Sequence, residues 1–246
     1  MHTLFISDLH LSNERPDKIG LFKKLLEGPA RKADALYILG DLFETWAGDD
    51  DDTPPHPDII STLAGYTGSG HKLFVMRGNR DYLMGKDFVH KTGATSLPDQ
   101  IVIDLYGSKT LLMHGDTLCT KDVKYQVFRR LFNNPFAIKL FLLVPFSIRQ
   151  KIWHGVRNLT RKTTARKSPY IIDVFPPEVE KVMLASKVNI LIHGHTHHEA
   201  IHEFELRGTR SRRYVLGDWY DKDSVLVANK NRLQLMRVEQ YLVGDW

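Results

Sequence analysis

The sequence predicts an α/β fold with some parallel strands, and three observations carry that expectation. Over the first two-thirds of the chain, short apolar runs alternate with stretches of helical spacing, the rhythm of β-α-β units. The apolar runs are followed at once by polar stretches, and glycine recurs beside the polar groups at Gly40, Gly78, Gly115 and Gly194. No internal repeat or low-complexity linker divides the 246 residues, a length that allows one large domain or two small ones. One domain with a helical insert is the economical reading.

Taken in order, "TLFIS" (3–7), "ALYIL" (35–39), "KLFVM" (72–76) and "TLLM" (110–113) are rich in Leu, Ile, Val and Phe and read as buried strands. Between them, "DKIGLFKKLLEG" and "PDIISTLAGYTGSG" have apolar residues at helical spacing and end in glycine, a common helix stop. From about Lys124 to Thr164 apolar and basic residues recur at helical spacing, with Pro135 and Pro145 as breaks. "PEVEKVMLASK" then reads as a helix with Pro177 near its start, and "VNILI" returns to a sheet. The tail segments "RRYVLGDW", "SVLVAN" and "RLQLMRVEQ" read as consecutive antiparallel strands.

The composition, 42% hydrophobic and 26% charged, is that of an ordinary globular protein. Cys119 is the single cysteine, which rules out an intramolecular disulfide and favours a reducing compartment. "MHTLFISDLH" has no basic leader region, and no run approaches the ~18 apolar residues of a membrane span, so a cytoplasmic chain is expected. Charge is unevenly placed. Between Lys121 and Ser168 there are twelve Lys or Arg against the single Asp122, while the rest of the chain holds 22 basic and 28 acidic residues. A basic insert is set into an acidic body.

The polar groups sit where the strands end. Asp8 and His10 follow the first run, Asp41 the second, Asn79, Arg80 and Asp81 the third, His114 and Asp116 the fourth. "HGHTHH" (193–198), with His193, His195 and His197, follows "VNILI". In open α/β sheets ligands bind beyond the carboxyl ends of strands, so these five loops are expected to converge on one site. Aspartate, asparagine and histidine without cysteine give mixed oxygen and nitrogen coordination, which suits manganese, iron or zinc. Asp8, His10, Asp41, Asn79, His114, His195 and His197 exceed the needs of one ion; two ions sharing a carboxylate would use them all.

Each residue has a plainer reading by itself. Asp41 could be a helix cap, Asn79 and Asp81 turn formers, and His114 a hydrogen-bonded core histidine. "GHTH" is the strongest fragment, because alternate residues of an extended segment point to one side. "GDDDDTPP" (48–55) lacks calcium-loop spacing and reads as an acidic surface loop, and Cys119 as a structural thiol.

The ordered blocks D-x-H, GD, GN, HGD and GHTH resemble the calcineurin-like metallophosphoesterase superfamily. That resemblance implies a four-layer α/β/β/α sandwich with two mixed sheets meeting at a dinuclear site. By motif, Asp8, His10, Asp41 and His197 would hold one metal and Asp41, Asn79, His114 and His195 the other, Asp41 bridging. His193 would stand behind the ligand pair and His198 at the surface. Many members carry histidine where this chain has Arg80, and arginine cannot serve as an acid. A phosphate leaving group needs no such help, since its second pKa is ~6. Arg80 would instead balance a diphosphate through bidentate contacts.

"LYILGDLFETWAGDD", "GNRDYLMGKDF", "LLMHGDTLCTKDVKYQVFRR", "IHGHTHHEAIH" and "LGDW" resemble the UDP-2,3-diacylglucosamine diphosphatase family of lipid A biosynthesis. The resemblance implies hydrolysis of UDP-2,3-diacylglucosamine to UMP and 2,3-diacylglucosamine 1-phosphate (lipid X). A metal-activated water would attack the α-phosphorus, with two Mn2+ as cofactors and Asp41, Asn79, Arg80 and His114 as catalytic residues. It also implies that Asn79, Arg80, Asp122, Thr160, Thr164, Lys167 and His195 contact substrate. Residues 1–123 and 169–246 would form the catalytic domain and 124–168 a cap for the acyl chains. Cations mixed with large apolar residues in that cap suit an anionic membrane surface. The expected location is therefore the cytoplasmic face of the bacterial inner membrane, peripherally held. A nucleic-acid partner is disfavoured, because Leu140 to Phe146 is too oily for a groove binder and no recognition motif occurs. A non-catalytic scaffold is disfavoured by the complete ligand set, and no obligate protein partner is evident.

Overall fold

The computed structural model describes residues 1–164 and 173–244, with the backbone alone for residues 158–164. The chain opens with β1 (Thr3–Ile6), α1 (Pro16–Glu27), β2 (Ala35–Leu39), α2 (His56–Gly68), β3 (Leu73–Met76), α3 (Lys86–Thr92) and β4 (Thr95–Ser96). A hairpin of β5 (Gln100–Leu105) and β6 (Ser108–Met113) follows, and then come α4 (Val123–Phe132), α5 (Pro135–Leu142) and α6 (Phe146–Thr164). The helix α7 (Pro176–Ser186) leads to β7 (Ile190–His193), β8 (Ala200–Leu206), β9 (Thr209–Val215), β10 (Ser224–Ala228), β11 (Leu233–Arg237) and α8 (Val238–Leu242).

Local chemistry sets many of these boundaries. Pro16, Pro135 and Pro176 occupy first-turn positions, where a missing N–H costs nothing. Asn134 caps α5 by accepting from the N–H groups of Phe136 (2.9 Å) and Ala137 (3.3 Å). Pro135 and Pro145 fall at helix boundaries as expected, so the basic segment becomes three helices.

The strands form two mixed sheets, ordered β11-β10-β1-β2-β3-β4 and β5-β6-β7-β9-β8. In the first, β1, β2, β3 and β4 run parallel, while β10 and β11 are antiparallel additions. In the second, β6, β7 and β9 are parallel and β5 and β8 form the antiparallel edges. Three separate apolar layers show how the sheets stack. Phe22, Leu25, Ile59, Leu63 and Phe88 of α1, α2 and α3 pack with Leu4, Ile6, Leu36 and Ile38 on one side of the larger sheet. Phe5, Leu39, Met76, Leu112, Ile192, Tyr214 and Leu226 fill the space between the sheets. Val179 and Met183 of α7 pack with Leu111, Met113 and Leu191 on the far side of the smaller sheet. Three cores between successive layers make the α/β/β/α sandwich. Strand residues bury both faces, which is why these runs read as continuous rather than alternating.

The tail departs from the sequence expectation. "RRYVLGDW" does not pair with "SVLVAN": β9 belongs to the smaller sheet, and the chain crosses through residues 216–223 to β10 in the larger. "RLQLMRVEQ" is a strand only to Arg237, after which α8 begins. "GDDDDTPP" is not merely an acidic surface loop. Asp51 is buried and accepts from the N–H groups of Ala47 and Thr53, and Asp49 accepts from those of Gly85, Asp87 and Phe88 at the start of α3.

Candidate metal centre

The carboxyl ends of β1, β2, β3, β6 and β7, drawn from both sheets, deliver their loops to one place. Backbone bonds lace these loops together: Asp8 N–H to Gly40 O (3.1 Å), His10 N–H to Asp41 O (3.0 Å), Gly194 N–H to His114 O (2.8 Å). Asp81 clamps two of them, accepting from Gly78 N–H (2.8 Å) and Leu42 N–H (2.7 Å) while itself fully buried. Burial and the neighbouring Asp41 charge push its carboxyl up to about 6.

Asp8, His10, Asp41, His195 and His197 all take positive φ, between 49° and 70°. Left-handed backbone is uncommon outside glycine and collects at functional sites, at a cost of about 1–3 kcal/mol each. The "GHTH" segment is therefore not extended. His195 and His197 leave a turn toward different neighbours, which corrects the alternation argument while keeping both residues in the site. Close approach explains two of the glycines: a side chain at Gly78 would run into Asp41 Oδ1, and one at Gly194 into Asp8 Oδ2.

Two clusters result. In one, His10 Nε2 and His197 Nε2 lie 3.2 Å apart, and Asp8 Oδ1 lies 3.4 Å from His197 Nε2 and 4.0 Å from His10 Nε2. In the other, Asn79 Oδ1 lies 3.0 Å from His114 Nε2 and 2.8 Å from His195 Nδ1. Asp41 stands between them, Oδ2 at 3.8 Å from His10 Nε2 and Oδ1 at 3.8 Å from His114 Nε2. Asp8 also sits within reach of Asp41 and His114. All seven expected ligands are brought together.

A cation fits this donor set. Asp8 Oδ1 is buried with no hydrogen-bond donor, and two imidazole nitrogens face each other with a carboxylate oxygen beside them. Burial pushes the His10 imidazole down to about 4, and burial with the nearby His114 does the same for His195, leaving both as neutral ligands at pH 7. Burial works against ionising Asp8, but its contact with His197 and the adjoining imidazoles holds it well below the usual carboxylate range.

The remaining expected residues fall as follows. Arg80 donates its backbone N–H to Asp41 Oδ1 at 2.8 Å, and its side-chain Nε is buried without a hydrogen-bond partner. Asp122 caps α4, accepting from Tyr125 N–H at 3.2 Å. Thr160 and Thr164 lie on the backbone of α6, their side chains outside the described set, and Lys167 lies outside the described residues. His193 ends β7, fully buried, with Nδ1 2.8 Å from Gly194 O, and His198 is exposed. Cys119 is buried, and burial pushes its thiol up to about 12.

Sequence reasoning gave no role to four residues that the fold sets around the clusters. Glu44 and Asp218 approach the Nδ1 atoms of His10 and His197 (2.9 and 3.5 Å), and Tyr220 stacks on the His10 ring at 5.1 Å. Tyr125 stacks beside His195 and donates its hydroxyl to Asp116 (2.7 Å). Glu44 and Asp218 lie inside the conspicuous blocks "GDLFE" and "LGDW", three residues beyond Asp41 in the first case. Proximity to a ligand in a motif was the available signal.

Such a sandwich, with paired carboxylate and imidazole clusters at its strand ends, defines a calcineurin-like phosphoesterase; the model of that family matches residues 1–199. The family implies a dinuclear metal site, and the clusters supply candidate ligands for it. The UDP-2,3-diacylglucosamine hydrolase of Vibrio cholerae is 47% identical over 231 residues, 94% of this chain and 96% of that one. Those of Marinobacter nauticus (46%; 96% and 97% covered) and Pseudomonas entomophila (47%; 96% and 98% covered) match as fully. The chain belongs to the UDP-2,3-diacylglucosamine hydrolase family, and it is a hydrolase.

Proposed function

We propose that the protein hydrolyses UDP-2,3-diacylglucosamine at its diphosphate, releasing UMP and 2,3-diacylglucosamine 1-phosphate in lipid A biosynthesis. One ion would be held by Asp8, His10, Asp41 and His197, the other by Asp41, Asn79, His114 and His195, with manganese as the metal. Two such ions supply Lewis acidity toward a phosphoryl oxygen and an activated water. The chain's own groups do the rest. Arg80 has a buried, unpartnered Nε on a planar cationic fork, which suits it to hold a diphosphate oxygen. Its backbone N–H meanwhile orients the Asp41 carboxylate.

The observation that carries the lipid half is an apolar cavity of about 480 Å³. It is lined by Leu131, Phe132, Ile138, Leu140, Phe141 and Val144 of the α4–α5 region and by Tyr82 and Leu83, which follow Arg80 by two and three positions. Residues 124–168 would thus form the cap over the catalytic body, with acyl chains beside the phosphate end. Asp122, Thr160, Thr164 and Lys167 would meet the sugar and phosphate.

No described helix is long and apolar enough to cross a membrane. Val123, Val127, Leu131, Phe136, Leu140 and Leu143 are exposed on a strongly basic segment, which supports peripheral attachment to an anionic inner-membrane surface on its cytoplasmic face. The test is a product assay on UDP-2,3-diacylglucosamine after chelation, with manganese titrated back. UMP and the acylated sugar phosphate should form only with metal. Cleavage of nucleotide or nucleic-acid substrates in their place would overturn the lipid reading.

A further inference from the structure

The two ion positions are backed by different chemistry. At one, each imidazole has a carboxylate behind it. His10 Nδ1 lies 2.9 Å from Glu44 Oε2 at ion-pair distance, and His197 Nδ1 lies 3.5 Å from Asp218 Oδ2. At the other, His114 Nδ1 meets a neutral group, the carbonyl oxygen of Leu39, at 2.9 Å, while His195 turns its Nδ1 inward to Asn79 Oδ1 at 2.8 Å, itself one of the proposed ligand atoms.

Both carboxylates are themselves fixed. Tyr220 donates its hydroxyl to Glu44 Oε2 at 2.7 Å while its ring lies 20° from parallel over His10. Arg157 of α6 donates to the Glu44 carbonyl at 2.7 Å and contacts its carboxylate. Asp218 accepts from the N–H groups of Tyr220 (2.7 Å) and Asp221 (3.0 Å). A carboxylate behind a ligating imidazole keeps the ring proton on the far nitrogen and makes the facing nitrogen a better donor.

We propose that Glu44 and Asp218 are positioning residues that make the Asp8–His10–His197 position hold its ion more tightly than the Asn79–His114–His195 position. The inference rests on the ligand assignment proposed above.

The test is a titration of the metal-free, full-length protein with MnCl2, free Mn2+ being read by electron paramagnetic resonance. The wild-type chain should show a tight and a weak class. Glu44→Gln and Asp218→Asn should each weaken the tight class by about 10–100-fold, leaving the weak class and the metal-free melting midpoint unchanged. Tyr220→Phe, which keeps the ring and loses the hydroxyl, should weaken the same class less. Retention of the tight class in both carboxylate variants would overturn the inference, as would equal weakening of both classes together with a lowered midpoint. His10→Ala separates the two levels. If it abolishes the tight class while Glu44→Gln and Asp218→Asn do not, the positioning role fails alone; if it changes neither class, the ligand assignment fails.

Discussion

His10 and His197, 187 residues apart in the chain, hold their Nε2 atoms 3.2 Å from each other. Two imidazoles sharing one ion at about 2.1 Å would place their nitrogens roughly 3 Å apart. Without a cation, buried lone pairs and the orphaned Asp8 Oδ1 crowd one space. Metal should therefore stabilise the fold. At free Mn2+ about 100 times the dissociation constant, one site contributes about 2.7 kcal/mol, or roughly 5–10 °C in melting midpoint for a chain of this length. Calorimetry of chelated and reloaded protein checks this, and a midpoint indifferent to metal would contradict it.

Glycine substitutions should separate site from scaffold. A Cβ at Gly78 would collide with Asp41 Oδ1, and the colliding group is a proposed ligand, held by the Arg80 N–H. Gly78→Ala is expected to lower kcat by about 100-fold, the scale on which small displacements of reacting groups are felt. Gly65, exposed inside α2 with open space around its Cβ position, is the contrast. Gly65→Ala should raise stability by about 0.5–1 kcal/mol and leave turnover unchanged. Denaturant unfolding and steady-state kinetics on the two variants decide the matter.

Much of this was legible in the sequence, for identifiable reasons. Runs such as "ALYIL" are apolar throughout because parallel strands between two layers bury both faces, and β2 spans those five residues. The seven candidate ligands could be picked out because each lies just beyond a strand. What escaped were relationships set by tertiary crossing. β9 and β10 look alike as sequence, yet they lie in different sheets, and periodicity carries no information about partner. Asp49 and Asp51 read as solvent-facing because four aspartates in a row are usually hydrated. The burial of Asp51 and the anchoring of half-buried Asp49 depend on N–H groups at Ala47 and the start of α3, which only the folded backbone presents. Left-handed φ at the ligands leaves no mark on composition, since Asp and His are common elsewhere.

Acid should release a specific part of the fold. Asp116 is buried and accepts from Tyr125 (2.7 Å) and Arg129 Nε (2.5 Å), tying α4 to the loop after β6. Burial alone would raise its pKa, but His114 and Arg129 outweigh that and hold it at about 2. The folded value lies below the unfolded ~3.9, so the stabilisation is present above about pH 4 and fades as pH falls toward 2. Linkage sets it at about 2.6 kcal/mol. In chelator, the stability gap between wild type and Asp116→Asn should therefore narrow from pH 5 to pH 3. A gap independent of pH, measured by denaturant unfolding, would count against this account.

Arg80 offers the sharpest test of the leaving group. Its backbone N–H already serves Asp41 in any variant, so replacing the side chain isolates the guanidinium. Arg80→Ala should lower kcat/KM by about 10²–10³, the cost of removing one charged donor from a transition state, while both ions stay bound. Arg80→Lys should recover part of this, because a point charge replaces a planar fork. Kinetics with metal analysis on the same samples supplies the check. Loss of an ion in Arg80→Ala would make the residue a support for the metal centre, and unchanged kinetics would mean that the diphosphate is held elsewhere.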